Sequence, residues 1–409
     1  MSLGVSFFRF GNDRSVWRSY GADFTIDVSL PKAGDIESDL LKRDLSINAM
    51  AYDFATQSII DPLNGKSDLK NRIIRIISEN AIKDDPLRML RAFRIAAELK
   101  FKISDRSLLL IEKNKKLIRH ISSERIGYEF LKLIATESYE YLVEMNRVGL
   151  IDQMFVNFRY ANECTQNRFH LYDVKDHSLL TVRKIDEMIC DIDNIVKHNT
   201  ELKELIKKNM LILKVAALFH DIGKPFVKTN YGGSIHFYRH ESKGAKIFNE
   251  KIAPRLSLAK KESLDIKKLI LYHLAVADYF RLFREKRMLK KHKVRFFSKY
   301  DELGVLILFL SIADTLAKGQ ISQSLFVDMH KMFIELSDFY FNYYLPKKQI
   351  APLINGYDII REFQLKPSPV FKTILKKIRE EQIKGAIKNR SEAIEYAAEI
   401  VKNLKKADL

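Results

Sequence analysis

Six side chains between residues 177 and 314 are of types that hold divalent metals. They are His177 in Asp176-His177-Ser178, the pair in Phe219-His220-Asp221-Ile222-Gly223-Lys224, then His240, His273 and Asp314. Most sit in strongly apolar stretches such as Ala216-Ala217-Leu218-Phe219, where an unpaired imidazole or carboxylate is costly. One or two divalent ions satisfy such groups, and imidazole plus carboxylate suits Mn, Fe, Ni, Zn or Mg. A lone buried histidine is usually just hydrogen-bonded. Histidines and bonded aspartates in the order H…HD…H…H…D argue instead for a centre, with ligands enough for two ions. A divalent centre can activate a bound water. His170, His236 and His292 are read as non-ligands.

A second constellation lies in Asp84-Asp85-Pro86-Leu87-Arg88-Met89-Leu90-Arg91-Ala92-Phe93-Arg94-Ile95-Ala96-Ala97-Glu98-Leu99. Asp85 suits an N-cap, because its carboxylate can accept first-turn amides, and Pro86 suits the first helical position. A rotation of about 100° per residue puts Leu87, Leu90, Phe93 and Ala97 on one arc. Arg88, Arg91 and Arg94 fall on the neighbouring arc, so their guanidinium groups converge. Spacing alone leaves two readings open, a solvated face paired with Glu98 or a patch for an anionic ligand.

Two stretches upstream bear on that choice, Lys42-Arg43-Asp44-Leu45-Ser46-Ile47-Asn48-Ala49 and Asp61-Pro62-Leu63-Asn64-Gly65. With the arginine helix, in that order, they resemble the bacterial class II tRNA nucleotidyltransferase and poly(A) polymerase family, the CCA- or A-adding enzymes. The first resembles the family's RRD-x-x-x-N-A motif and the third its [ED]-D-x-x-R motif. The resemblance implies that Asp85 and Arg88 meet the base edge of an incoming ATP or CTP. It places Arg43, Arg91 and Arg94 near the phosphates and sugar, and Asp44 in the same nucleotide site. Lys42 stands where the first arginine is usual, keeping the charge and losing the planar fork. Phe24, Ile26 and Val28 alternate with Thr25, Asp27 and Ser29, a strand pattern with Asp27 on the polar face. In the family this strand carries the third catalytic carboxylate of a Mg site. The other two follow a G-G-x-x-R-D-type segment, and none is found between Met1 and Phe24. Asp191-Ile192-Asp193 has the spacing but lies in a helical-looking region, and Gly232-Gly233-Ser234 precedes no D-x-D. The expectation is an N-terminally truncated chain that binds nucleotide and transfers none. The H…HD…H…H…D order resembles the HD superfamily of metal-dependent phosphohydrolases, whose domains accompany many of these nucleotidyltransferases; the resemblance implies attack of an activated water on a phosphate ester, with Lys224 a candidate catalytic anion contact.

The elements that must position these groups read as an α+β, predominantly helical chain in four parts. Residues 1–77 are β-rich, the remnant of a nucleotidyltransferase head. Residues 78–160 form a helical neck that binds nucleotide or RNA, with Ser122-Ser123-Glu124-Arg125 opening one helix. Residues 161–345 carry the HD centre. Residues 346–409 form a helical tail in which Asn355-Gly356-Tyr357-Asp358 is similar to the family's C-terminal element and Asn389-Arg390-Ser391-Glu392 reads as a capping box.

Lys and Arg outnumber Asp and Glu by 70 to 52, and the formal charge of +18 suits a polyanionic partner such as tRNA. Residues 281–299 hold nine Lys or Arg against Glu285, interleaved with Phe280, Phe283, Phe296, Phe297 and, just beyond, Tyr300. Arg284, Arg287, Lys290 and Lys291 are the candidate RNA contacts, set against a merely solvated face. Cys164 and Cys190 show no C-x-x-C spacing, and the longest apolar run is too short for a bilayer. These features fit a cytoplasmic protein with no membrane partner; they leave the oligomeric state open. The reading is therefore a protein of the family that adds CMP and AMP, or AMP alone, to tRNA 3′ ends, with an HD domain. Its rivals are an HD phosphohydrolase whose damaged head only binds nucleotide or RNA, and a non-catalytic RNA-binding protein.

Overall fold

The computed structural model describes residues 7–10, 16–21, 24–30, 34–162, 164, 173–197, 199–232, 234–319 and 322–407; His170 lies outside them. The fold is α+β and predominantly helical, with four small sheets. It divides into two compact units, Met1–Leu133 with Glu144–Gln153, and Ile134–Val143 with Met154–Leu409. Among the described residues no helix is long and apolar enough to cross a membrane.

In the first unit, β1 (Phe8–Phe10), β2 (Val16–Tyr20) and β3 (Thr25–Ser29) form an antiparallel sheet in that order. The register sets Arg18 opposite Asp27, and the two close a bidentate pair at 2.6 and 2.7 Å. Helix α1 (Leu87–Leu99) starts as its sequence predicts. Asp85 is extended, its Oδ1 accepts the Leu87 amide at 3.2 Å, and Leu87, Leu90, Phe93 and Ala97 are buried. Helix α2 (Ser123–Ile134) buries Ile126, Phe130 and Ile134. Gly65 opens a short helix whose backbone meets the Ser46–Asn48 turn, since a Cβ there would lie 2.2 Å from the Ser46 carbonyl oxygen. Asp61 ties down that helix start by accepting the Gly65 and Lys66 amides.

The second unit is built on α3 (Val174–Cys190), α4 (Met210–Phe219), α5 (His240–Ile247), α6 (Lys260–Tyr272), α7 (Val276–Arg284), α8 (Lys290–Tyr300), α9 (Leu303–Leu316) and α10 (Gln323–Phe339). The tail adds α11 (Gly356–Phe363), α12 (Pro369–Lys384) and α13 (Arg390–Ala407). Apolar α4 packs against α3, α6 and α9, and α9 is buried over most of its length, as its run of Val, Leu, Ile and Phe requires. Ile359, Ile374, Ile378, Ala393 and Ala397 make a core for the tail. The Asn355-Gly356-Tyr357-Asp358 motif is a reciprocal capping box at the start of α11. The Asn355 carboxamide accepts from Tyr357 and Asp358, and Asp358 accepts from the Asn355 amide. The aromatic residues interleaved with the basic run depart from expectation. Phe296 and Phe297 are fully buried and Tyr300 nearly so, because they occupy the inward arc of α8. Phe296 and Phe297 are core and unavailable to bases.

Two positions in this bundle carry strong constraints. Lys214 is fully buried in α4, with its Nζ 2.6 Å from Asp186 and donating to the Thr136 carbonyl. Burial pushes the Lys214 ammonium down and the Asp186 carboxyl up, against the pull of each partner. Lys214→Met leaves Asp186 alone in the interior and is expected to cost about 3–5 kcal/mol in urea unfolding, most of it recovered when Asp186→Leu is added. Gly223 follows the His220-Asp221 turn, and a Cβ on it would sit 2.0 Å from the His240 carbonyl oxygen and 2.6 Å from the Gly244 amide. Gly223→Ala must push α5 away from that turn. It should lower stability by about 3 kcal/mol, and an unchanged midpoint would mean that this backbone contact is absent in solution.

Candidate metal centre and nucleotide face

The six metal-ligand candidates meet in one place, each delivered by the end or first turns of a helix. Asp173 caps α3 by accepting the Asp176 amide, which sets His177 in the helix's first turns. His220 and Asp221 leave the end of α4, His240 opens α5, His273 follows the end of α6, and Asp314 lies in the last turn of α9. All six are buried, from 0% exposed at His177 and His220 to 7% at His240. Asp221 is the hub. Its carboxylate oxygens lie 3.2 Å from both His220 and His240 Nε2, and 3.7 and 3.8 Å from His177 and His273. Asp314 Oδ1 stands 2.8 Å from His177 Nε2 and 3.5 Å from His220 Nε2.

The other edge of each imidazole is tied back to its own surroundings. The Nδ1 atoms of His220, His240 and His273 lie 2.8 Å from the carbonyls of Ala217, Phe237 and Ile270, and His177 Nδ1 lies 3.4 Å from that of Ala317. These carbonyls fix the ring planes, so the Nε2 edges converge on Asp221 and Asp314, the orientation that metal-binding histidines need. The donors fall into two groups that share Asp221, one with His177 and His220 and the other with His240 and His273. His220 Nε2 and Asp221 Oδ1 make no hydrogen bond within the described residues, and Oδ2 meets Lys224 Nζ as an ion pair at 2.6 Å. Buried and converging on two carboxylates, this donor set fits divalent ions.

The charges around it are strongly coupled. Burial alone lowers His220, but Asp221 and Asp314 outweigh it and raise its pKa to about 10; burial and the charge on His220 push His273 down to about 3. Asp314 also pairs with Lys318 at 3.1 Å, a partner legible only as an i,i+4 spacing at a helix end. A pocket of ≈ 290 Å³ opens onto Asp221, Lys224, His240, His273, Asp314 and Lys318. His236 lines its mouth and makes no approach to the hub, and His292 lies on α8, its Nδ1 accepting from the Leu289 amide.

In the first unit the three sequence motifs converge. Arg91 pairs with Asp44 at 2.9 Å, and Arg88 Nη1 donates to the carbonyls of Arg43 and Ala81 at 3.2 Å. Burial opposes ionisation of Asp44, but the Arg91 charge holds its carboxyl below the usual range. Arg91 and Arg94 both reach Glu129, which is 2% exposed, and Arg94 also pairs with Glu98. Asp85 Oδ2 is engaged by Arg125 at 2.8 Å, while Arg43 pairs with Asp39 and keeps half its side chain in solvent. Glu129 and Arg125 escaped the sequence reading. The available signal was Glu129 itself, a carboxylate on the same helical arc as Ile126 and Leu133, where a partner is obligatory. Asp27 stands apart on β3, exposed, its carboxyl held below the usual range by Arg18.

The candidate RNA contacts lie on α7, α8 and the turn between them. Arg284 pairs with Asp328, Arg287 pairs with Glu285, and Lys290 lies 4.3 Å over the Tyr343 ring. Lys291 lines a groove between α8 and α12.

Comparison with known proteins agrees with these arrangements. Residues 9–75 match the poly A polymerase head domain and 100–160 the RNA- and SrmB-binding site of polymerase A. Residues 174–318 match the HD domain and 307–398 tRNA nucleotidyltransferase domain 2. The chain is 25% identical to the CC-adding tRNA nucleotidyltransferase of Synechocystis sp. over 95% of its own length and 82% of that protein. It is 26% identical to the A-adding tRNA nucleotidyltransferase of Deinococcus radiodurans, covering 96% and 85%. It is 33% identical to the multifunctional CCA protein of Actinobacillus pleuropneumoniae, covering 61% and 56%. Its fold is similar to a CCA-adding enzyme solved with CTP (TM-score 0.62, 15% identity, 98% of this chain and 82% of that one). It is also similar to the Thermotoga maritima CCA-adding enzyme complexed with tRNA (TM-score 0.57, 15% identity, 98% and 82%). The chain belongs to the tRNA nucleotidyltransferase and poly(A) polymerase family, as a member that carries an HD domain.

Proposed function

We propose that the first unit is the nucleotide-selecting part of a tRNA 3′-end nucleotidyltransferase, one that adds CMP and AMP, or AMP alone, from CTP and ATP in the cytoplasm. The observation that carries this is the convergence of the motifs through Asp44–Arg91 and Arg88 on the Arg43 carbonyl. Asp85 offers an acceptor and Arg88 a donor to a base edge, while Arg43, Arg91 and Arg94 supply positive charge for the phosphates. Asp44 and Glu129 hold the Arg91 guanidinium between them, so its orientation is set before a ligand arrives. The four parts 1–77, 78–160, 161–345 and 346–409 then serve as head, neck, HD domain and tail. tRNA lies against the basic surface that includes Arg284, Arg287, Lys290 and Lys291.

Mg ions held by clustered carboxylates stabilise the leaving pyrophosphate in such transfers. Asp27 is one carboxylate, exposed and committed to Arg18, and does not by itself make a site for a pair of ions. The purified chain as given is therefore expected to bind ATP or CTP weakly and to add no labelled AMP to a CCA-less tRNA. Arg88→Ala should weaken nucleotide binding by about 2 kcal/mol by calorimetry, through loss of charge-assisted hydrogen bonds. Labelled tRNA, or an unchanged affinity, would overturn the respective half of this reading.

We assign the second unit's centre to metal-dependent hydrolysis of phosphomonoesters or 2′,3′-cyclic phosphodiesters. His177, His220, Asp221 and Asp314 would hold one ion, and Asp221 would bridge to a second held by His240 and His273. Mn, Fe, Ni, Zn and Mg all suit the set, and the ions would supply Lewis acidity and an activated water. Lys224 and Lys318 flank the pocket and are placed to neutralise a bound phosphate. Elemental analysis of protein from metal-replete cells, purified without chelator, should find divalent metal. Asp221→Ala should remove all of it, whereas His240→Ala should remove only the second ion. A metal-free wild type would leave these residues as an ordinary polar core.

A further inference from the structure

The pocket over the HD centre is the end of a longer path. At its mouth the rings of His236 and Tyr238 lie parallel, 5.2 Å apart with 6° between their planes, and Tyr238 is 73% exposed. Across the mouth, Leu274 is shared with a second cavity of ≈ 490 Å³ walled by Tyr272, Tyr279 and Tyr300. That cavity in turn shares Arg295 and Lys299 with the groove of ≈ 910 Å³ between α8 and α12. Lys291, Arg295 and Lys299 rise along one side of the groove at four-residue spacing, a row about 12 Å long. Lys372, Lys376 and Lys377 line the other side, exposed on α12. Lys299 joins the two chemistries, its Nζ lying 5.3 and 4.9 Å from the ring centres of Tyr272 and Tyr300.

The path also contains carboxylates, and they are largely engaged. Glu380 accepts from Ser298, Glu381 pairs with Lys384, Asp278 pairs with Arg281, and Glu241 lies 3.8 Å from His240 Nδ1. What remains is an order of features: two cationic rows, an aromatic slot, a metal-ligand pocket flanked by lysines, and a stacked aromatic pair at its lip. A single-stranded polynucleotide has the matching order, with charged phosphates along its length and bases free to lie on rings. A duplex keeps its bases inside the stack and cannot use the rings.

We propose that these three cavities form one track for single-stranded nucleic acid, which delivers the strand's phosphate-bearing end to the HD centre. Backbone phosphates lie between the rows of α8 and α12, a base rests in the Tyr272/Tyr279 slot, and the terminal base stacks on Tyr238. The proposal rests on the phosphohydrolase reading of the centre and names its substrate class, a strand end rather than a free mononucleotide. In the hydrolysis so served, the oxygen of water bonds to phosphorus, the ester P–O bond breaks, and the proton of water goes to the departing strand oxygen.

The test uses the full chain and a short 5′-fluorescein oligonucleotide, in ribose and deoxyribose forms, followed by anisotropy. Lys372→Glu with Lys376→Glu, both on the exposed side of α12, should weaken binding at least about tenfold and flatten its salt dependence. Tyr272→Ala should weaken it about tenfold while Tyr272→Phe, which keeps the ring, should not. A strand ending in 3′-phosphorylated 4-thiouridine should cross-link to the peptide that carries Tyr238. Binding indifferent to the lysine reversals, a duplex bound as tightly as the single strand, or cross-links confined to other peptides would overturn the track. A cross-link at Tyr238 with no phosphate released after Mn is added would uphold the track and overturn the hydrolysis reading. Phosphate released from a small ester without that cross-link would do the reverse.

Discussion

A carboxylate buried to 1% exposure needs a compensating charge and polar partners, and Asp221 has both. Four imidazole nitrogens stand within 3.8 Å of it, and Lys224 approaches from the pocket side. With Asp314 in the last turn of α9, the histidines come from five helix ends, so the helices of the second unit must terminate where they do. The constraint reaches the backbone at Gly223, where α5 comes close enough to exclude a side chain. Apolar packing of α4 against α3, α6 and α9 supplies the cohesion. The buried carboxylate decides which register of that packing is acceptable.

The first unit solves a similar problem with arginine in place of imidazole. Glu129 is as buried as Asp221, and Arg91 and Arg94 close on it from α1. Because Arg91 also reaches Asp44, the carboxylate that steadies the helix pair also steadies the contact of α1 with the Lys42–Ala49 stretch. A guanidinium can serve two carboxylates through different edges, which one ammonium serves poorly. The arginine spacing on α1 thus has a structural part: Arg94 pairs with Glu98, as one of the two readings open from sequence has it, and both Arg91 and Arg94 pair inward with Glu129.

How much was legible follows from whether a property is local. The start of α1 was readable, because an N-cap and a first-turn proline act over a few residues. So was the HD set, because histidines and aspartates in apolar helices carry a desolvation cost wherever the fold takes them. The cap at Asn389 was visible for the same local reason, whereas Asn355-Gly356-Tyr357-Asp358, read only as a family element, proves to be a capping box in the structure. Pairings across elements were not legible. The register of β2 and β3 gives Asp27 its Arg18, and the approach of α2 to α1 gives Arg91 its Glu129. The basic run of α8 misled in one respect. Alternating cations and aromatics look the same whether the rings face water or the core, and Phe296 and Phe297 face the core.

The carbonyl contacts behind the HD imidazoles have a thermodynamic side. Three of the four histidines lean on a carbonyl three residues earlier in their own turn, so their tautomers and ring planes are set when the helix ends form. The entropy of ordering the ligands is then spent in folding, not in ion capture. An ion that binds only the folded arrangement adds RT ln(1 + [L]/Kd) to stability, about 2.7 kcal/mol at a hundredfold excess over Kd. With such an ion bound, five helix termini distant in sequence would become one cooperative unit, held more tightly as the free cation concentration rises.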